Sequence, residues 1–164
     1  PPVAAKAGET ITVTAKVGDD TFDQTFRWVD KNVETAPTLN KEKNAETGKY
    51  LTYFDRNAKT VSIVFDKDIV TESVIKELFK VYIGSTGSTR DTPYKVTNAV
   101  ANGNVVTLTL ADVPSTITAN DKVFVTIESA TDSVNVKHTL TATNGMKATI
   151  ASVTLDANNE DVPR

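Results

Sequence analysis

Residues 60–83 read TVSIVFDKDIVTESVIKELFKVYI and combine two strand patterns with a short helical pattern between them. In the first strand pattern, every second residue is apolar, and these residues fall on one strand face: Val61, Ile63 and Phe65. Thr71 is a predicted N-cap, and the apolar spacing after it predicts one short helix at about 71–79. The strand period returns at 81–83. The stretch therefore predicts a β-rich chain with a helical connection.

The composition of the whole chain also indicates a mainly β protein. Its 164 residues include 26 Thr and 21 Val, which are β-branched and favoured on pleated surfaces. The net charge of −3 is mild and no basic stripe is present, so we expect no nucleic-acid partner. No apolar run approaches the roughly 20 residues that span a bilayer, so we expect no membrane insertion. Because the chain begins Pro1-Pro2-Val3, we expect a piece of a longer protein.

Residue types that carry chemistry are scarce. The chain has no Cys, which excludes disulfides, thiol catalysis and Cys-based zinc sites. His138 is the one histidine, and without convergent partners it is interpreted as an ordinary strand residue beside Lys137. The segment GSTGS at 84–88 lacks the Lys-Ser/Thr ending of a phosphate loop and is interpreted as a flexible loop. We therefore predict that the protein is not an enzyme.

Turn signals and strand periods predict three segments. Residues 9–29 form a predicted hairpin, followed by a linker, so we assign 1–36 as the C-terminal hairpin of a preceding β module plus linker. Six or seven short strands follow, including a hairpin that turns at Asn102-Gly103, and we assign 37–143 as a two-sheet β-sandwich. Residues 144–164 are assigned as an exit segment or the first strand of a following module. The predicted fold class is antiparallel β-sandwich modules in tandem.

Two stretches, KTVSIVFDKDIVTESV and NGNVVTLTLADVPSTITANDKVFVTI, resemble the immunoglobulin-like repeats of bacterial surface-layer (S-layer) and related cell-wall proteins. That family has a TVTVTF strand before a turn and short helix, then a GNTVTLTL hairpin, then a DTVTVTI strand. The matching segments here occur in the same order: Thr60 to Phe65, Gly103 to Leu110, and Asp121 to Ile127. The linker TAPT at 35–38 is similar to joints between such repeats.

The resemblance implies that residues 37–143 form an immunoglobulin-like β-sandwich and that the fold class is immunoglobulin-like antiparallel β-sandwich modules in tandem. It also implies an extracellular structural module of a bacterial cell wall. Such proteins self-assemble into a two-dimensional coat, often with calcium dependence, and are anchored by a separate domain. The implied partners are lattice neighbours and adjacent modules of the same chain. Candidate contact regions are the loops at 84–93 and 112–121. An accessory module of a phage tail or capsid fits the same composition.

Asp66 and Asp68 are the candidate metal ligands. Residues i and i+2 point the same way along a strand, so the two carboxylates could contribute to a calcium site, which needs six to eight oxygens. The alternative is that they are solvated turn formers at a strand end. Other acidic residues lie at predicted module ends, where an ion could stiffen a joint: Asp19, Asp20, Asp30, Asp156, Glu160 and Asp161.

The aromatic residues support a second function, a ligand- or carbohydrate-binding module of an adhesin or extracellular enzyme. Exposed rings in one plane would form a platform for sugar rings, whereas buried rings would be part of the core or of a module joint. The aromatic candidates are Trp28, Tyr50, Tyr53, Phe54 and Tyr94. Exposure of at least two Trp or Tyr faces together would favour carbohydrate binding.

Overall fold

The computed structural model describes residues 10–27, 35–85 and 92–164. The chain divides into two compact units, Pro1–Thr35 and Ala36–Arg164. The first unit ends at Thr35, one residue before the end of the segment 1–36 that was predicted from the sequence.

The first unit contains an antiparallel hairpin of β1 (Thr10–Val17) and β2 (Asp20–Arg27). The hairpin predicted over 9–29 is thus confirmed where the structure describes it. Gly18, in the connecting turn, has a φ of +63°, a left-handed conformation that glycine adopts without steric cost. The register pairs Ile11 with Phe26 and Ala15 with Phe22, so the apolar residues of both strands share one face.

The second unit contains two antiparallel sheets and a small ribbon. The four-stranded sheet has the order β3-β4-β7-β6, the three-stranded sheet has the order β11-β8-β5, and β9 pairs with β10. The strands are β3 (Tyr53–Asp55), β4 (Thr60–Val64), β5 (Phe79–Gly84), β6 (Val96–Asn102), β7 (Val105–Leu110), β8 (Lys122–Ile127), β9 (Ala130–Thr131), β10 (Lys137–His138) and β11 (Ser152–Asp156).

Alternating side chains from both sheets form one hydrophobic core. In β7 and β8 every second residue is buried, as the sequence period predicts. Val61 and Val106 from one sheet and Val125 and Val153 from the other belong to the same buried cluster and are 0% exposed. Each such side chain contributes about 1.5–3 kcal/mol to folding. The described chain is therefore mainly β, with antiparallel open sheets consistent with a β-sandwich.

The prediction of a single short helix at about 71–79 is wrong. Two separate 3₁₀ turns, Thr71–Ser73 and Lys76–Leu78, occupy this stretch. Val74 and Ile75 between them have extended backbones, with φ, ψ of −98°, 114° and −127°, 152°. Both are β-branched, which lowers helix propensity, and the buried side chain of Val74 joins the core. The N-cap position of the first turn is Val70 rather than Thr71, without a capping side chain.

The assignment of residues 144–164 to an exit segment or a following module is wrong. These residues belong to the second unit, and their strand β11 pairs with β8 over five residues. Val153 and Leu155 on β11 are buried in the core. The end of the chain also pairs with β11, since the backbone N–H of Arg164 donates to the carbonyl of Thr154 at 2.9 Å. The segment therefore completes the three-stranded sheet.

Asn159, in the tail after β11, joins the two sheets. Its side-chain oxygen accepts the N–H of Phe54 on β3, and its amide nitrogen donates to the carbonyl of Phe54, both at 2.9 Å. The residue has a φ of +59°, which Asn tolerates better than most residues. One side chain thus satisfies both backbone groups of a buried residue on the edge strand β3.

An ion pair fixes the start of the same tail. The Asp156 side chain is 4% exposed and lies 3.5 Å from the Lys122 ammonium, which also pairs with Asp161 at 3.2 Å. The second carboxylate oxygen of Asp156 accepts the backbone N–H of Glu160 at 3.0 Å. A buried carboxylate with these partners avoids the large cost of an unpaired buried charge.

Candidate functional site

The apolar face of the β1–β2 hairpin carries the largest group of exposed hydrophobic side chains in the described chain. Its five large side chains have exposed fractions between 40% and 67%: Ile11, Val13, Val17, Phe22 and Phe26. The opposite face is polar and is tied by hydrogen bonds, with the Thr14 hydroxyl donating to Asp23 at 2.6 Å. Contiguous exposed apolar surface is a common sign of an interaction site.

Asp66 holds its own chain segment together. One carboxylate oxygen accepts the backbone N–H of Thr38 at 2.7 Å, and the other pairs with the Lys67 ammonium at 2.8 Å. Burial alone would raise the pKa of Asp66, but the bonds from Lys67 and Thr38 outweigh it and hold the pKa below its ordinary value. The Lys67 ammonium therefore competes with any other cation for this carboxylate.

Asp68 is exposed and lies beside the turn between β6 and β7. Its side-chain oxygen is 3.6 Å from where a Cβ on Gly103 would be, and its backbone carbonyl accepts the N–H of Thr143. Within the described ranges, no three Asp, Glu or His residues come together as a metal site would require. Calcium binding by Asp66 and Asp68 stays a prediction, and it would require displacement of Lys67.

The other acidic candidates have structural surroundings where they are described. Asp19 and Asp20 form the turn and first position of the β1–β2 hairpin. Asp156 and Asp161 are the partners of Lys122. Asp30 lies outside the described residues.

His138 is held between two hydrogen-bond acceptors. Its Nε2 lies 2.8 Å from a carboxylate oxygen of Asp132, and its Nδ1 lies 3.2 Å from the carbonyl of Glu72. A neutral imidazole has one N–H, whereas the imidazolium has two and satisfies both acceptors at once. The hydrogen bond with Asp132, with help from Glu72 and the charge of Glu77, raises the pKa of His138; the same bond lowers the pKa of Asp132.

The pKa shifts of Asp132 and His138 together predict that the stability of the fold depends on pH. The contribution of His138 is complete below its ordinary value of 6.5 and is lost as the pH rises through the higher value of the folded state. The contribution of Asp132 is present above its ordinary value of 3.8 and is lost as the pH falls through the lower folded value. We expect the melting temperature of the wild type to exceed that of His138→Gln most between these values.

The measurement is a series of thermal melts of both proteins from pH 4 to pH 9. The advantage of the wild type should shrink steadily above pH 6.5, because the imidazole loses its second donor there. A difference between the two proteins that stays constant over this range would contradict the assignment.

The same Asp132 shapes an exposed tip between β9 and β10. Its other carboxylate oxygen accepts the N–H groups of Val134 and Val136, both at 2.9 Å. The two valine side chains are 72% and 51% exposed. The tip is thus a second apolar surface, held in shape by a carboxylate that the sequence analysis did not single out.

The aromatic candidates separate into buried and outer residues. Phe54 is 1% exposed and belongs to the core, and Tyr94 packs against that core. Tyr50 and Tyr53 are half-buried and line one surface cleft together. Trp28 lies outside the described residues. The structure therefore brings together two of the five rings that the sequence analysis named.

One of the two predicted contact loops, at 84–93, is described only in part. Residues 86–91 of the 84–93 loop lie outside the described residues. In the 112–121 loop, the Asp121 carboxylate accepts the backbone N–H of Thr118 at 2.8 Å, which closes a turn before β8. The side chains at 115, 116 and 118–120 of this loop are exposed or partly so.

Among the described residues, no helix is both long enough and apolar enough to cross a membrane. Comparison with known protein families, with curated proteins and with solved structures found no match to this chain.

Proposed function

We propose that this protein is a structural, self-associating module of a bacterial surface-layer or cell-wall protein. In this proposal, immunoglobulin-like sandwich modules are arranged in tandem on the cell exterior, and contacts between copies build a two-dimensional coat. The protein acts as a scaffold rather than as an enzyme, and calcium would act as an ion that stiffens joints. The sequence resemblance to surface-layer repeats supports the proposed location on the bacterial cell exterior.

The observation that carries the proposal is the apolar face of the β1–β2 hairpin. A two-stranded hairpin alone is marginally stable in water, and it becomes stable when its apolar face packs on something else. Ile11 and Phe26 form a cross-strand pair on this face, as do Ala15 and Phe22. The same face of a second copy is a complementary cover, because two flat apolar ribbons can stack as a small sandwich.

The size of this face fits a lattice better than an isolated dimer. Strands of eight residues are about 27 Å long, and two of them are about 10 Å wide, so each partner would bury about 270 Å². A two-copy contact then buries about 540 Å² in total, well below the roughly 1,200 Å² of a stable isolated interface. Contacts of this size hold an assembly together when each copy makes several of them.

We expect the double variant Phe22→Asp, Phe26→Asp to lose self-association. Two carboxylates on the apolar face would need to be desolvated in the contact, which costs several kcal/mol and weakens association by at least about tenfold. The measurement is sedimentation velocity of the wild type and the variant over a wide concentration range, with electron microscopy for ordered sheets.

The matched control is Thr21→Asp, Thr25→Asp, which adds the same charge to the same strand but on the opposite face. This control should associate as the wild type does. The proposal is overturned if the wild type stays monomeric at every concentration, or if both double variants weaken association equally.

A further inference from the structure

The cleft that contains Tyr50 and Tyr53 is built on a loop closed by its own hydrogen bonds. The Leu51 N–H donates to the Glu42 carbonyl at 2.9 Å, and the Asn44 N–H donates to the Lys49 carbonyl at 2.7 Å. At the turn, the Asn44 side-chain oxygen accepts the N–H groups of residues 46 and 47 at 2.8 and 3.0 Å. Such a loop holds its side chains in fixed positions before any ligand arrives.

The two tyrosine rings reach the cleft from neighbouring parts of the chain. Tyr50 closes the loop through its bridge to Lys43, while Tyr53 begins β3. Because side chains alternate along a strand, the burial of Phe54 directs Tyr53 to the outer face. The cleft has a volume of about 360 Å³ and is lined by Asn44, Thr47, Lys49, Tyr50, Leu51 and Tyr53.

Each of these rings has an ammonium group over it. The Lys43 nitrogen is 4.7 Å from the centre of the Tyr50 ring, and the Lys49 nitrogen is 5.2 Å from the centre of the Tyr53 ring. Lys49 also donates a hydrogen bond to the Tyr53 hydroxyl at 3.2 Å. Ring attraction and this hydrogen bond hold the two positive charges next to apolar aromatic surface.

We propose that this cleft binds an acidic saccharide, a pyranose ring that carries a carboxylate. The apolar C–H face of the sugar contacts the tyrosine rings, since tyrosine combines a flat apolar body with a polar tip. The sugar carboxylate pairs with the ammonium group of Lys49, which lines the cleft, and the Lys43 ammonium over the Tyr50 ring adds a second positive charge. The Thr47 hydroxyl and Asn44 amide face the sugar hydroxyls. The volume is at the small end of the roughly 300–1,000 Å³ range of ligand pockets, which suits one or two sugar rings.

The positive charges favour an acidic sugar over a neutral one. A neutral sugar would gain ring contact alone, whereas a carboxylate also gains an exposed ion pair. A rigid platform with rings, hydroxyl, amide and ammonium groups is also more specific than a purely apolar groove, because polar groups fix the orientation of the ligand. This site belongs to the 36–164 unit, and its function does not depend on association through the β1–β2 hairpin.

The test is a titration of the full-length, ¹⁵N-labelled protein with trigalacturonate and, separately, with its fully methyl-esterified form. We expect saturable shifts of the amide signals of residues 44–53 with the acid, and binding of the ester weaker by about two- to fivefold. The variants Tyr50→Ala and Tyr53→Ala should weaken binding of the acid by about tenfold or more.

The double variant Lys43→Gln, Lys49→Gln removes two positive charges but keeps both tyrosine rings and the core. It should bring acid and ester to equal affinity, whereas Lys59→Gln, an exposed lysine elsewhere, should change neither.

The proposal is overturned if trigalacturonate causes no saturable shift at 44–53, or if the wild type binds the ester as tightly as the acid. The NMR spectrum of each variant also shows whether it is folded. The same titration on Phe22→Asp, Phe26→Asp tests sugar binding independently of self-association.

Discussion

Replacing Val153 with Asp is expected to destabilise the 36–164 unit strongly. Val153 is 0% exposed and pairs with Val125 on β8, the central strand of the three-stranded sheet. An unpaired carboxylate at this position would be removed from water without any compensating partner, at a cost of about 4 kcal/mol or more. That cost is a large part of the roughly 5–15 kcal/mol that stabilises a typical domain. Circular dichroism and urea unfolding measure the loss.

Val162→Asp is the matched control for this variant. Val162 lies in the same C-terminal segment, but its side chain is 49% exposed. The same substitution there should change the free energy of unfolding by less than about 0.5 kcal/mol. If Val153→Asp were as stable as Val162→Asp, residues 144–164 would be a separate segment after all, and the pairing of β11 with β8 would be wrong.

Asn159→Ala is expected to lower the free energy of unfolding by about 3 kcal/mol or more. The substitution removes both hydrogen bonds to Phe54, and each unsatisfied backbone group of a buried residue costs about 1–3 kcal/mol. It also puts alanine at a φ of +59°, which costs about 1 kcal/mol more than Asn or Gly at that position. Urea unfolding at equilibrium gives the difference directly.

Two variants separate these contributions. Asn159→Gly loses the hydrogen bonds but keeps the favourable backbone, so it should be about 1 kcal/mol more stable than Asn159→Ala. Asn158→Ala removes a single exposed hydrogen bond, to the Thr118 carbonyl, and should cost less than about 1 kcal/mol. Equal stability of the 158 and 159 alanine variants would show that Asn159 does not join the sheets.

Local patterns predicted the strands well because their signal is contained in a few adjacent residues. The alternation of Val106, Leu108 and Leu110 with threonines gives a strand with one buried face in any antiparallel sheet. Asn102-Gly103 predicted the β6–β7 turn for the same reason, and Gly103 has a φ of +59°. These features need no knowledge of distant partners.

The helix prediction was wrong because a local period competed with burial. Val74, Ile75 and Leu78 have helical spacing, yet two β-branched residues in a row also suit an extended backbone. Packing of Val74 and Leu78 on the core decided the outcome, since an extended link between two 3₁₀ turns buries both side chains. Tertiary contacts commonly override weak helix propensity in this way.

The candidate sites depend even more strongly on which residues lie close together in space, whatever their separation along the chain. The strand period predicts that Asp66 and Asp68 point the same way, whereas the Asp66 carboxylate accepts the backbone N–H of Thr38, which lies 28 residues earlier in the chain. Tyr50 and Tyr53 are two of the five aromatic candidates in the sequence, and only the fold of the loop at 42–51 shows that both line one cleft. The Asn-Asn pair at 158–159 gave a turn signal at most, and nothing in it indicates a contact 105 residues away.

The sequence by itself determined that this chain is built of antiparallel strands, since the period of two and the turn residues act between near neighbours. Only the tertiary structure decided where the second unit ends and what its polar side chains do. The acidic tail DANNEDVPR has no period, and it joins the fold through Asn159 and the Lys122–Asp156 pair. Hydrogen bonds and ion pairs of this kind depend on atoms a few ångströms apart in space, and spacing along the chain carries no record of them.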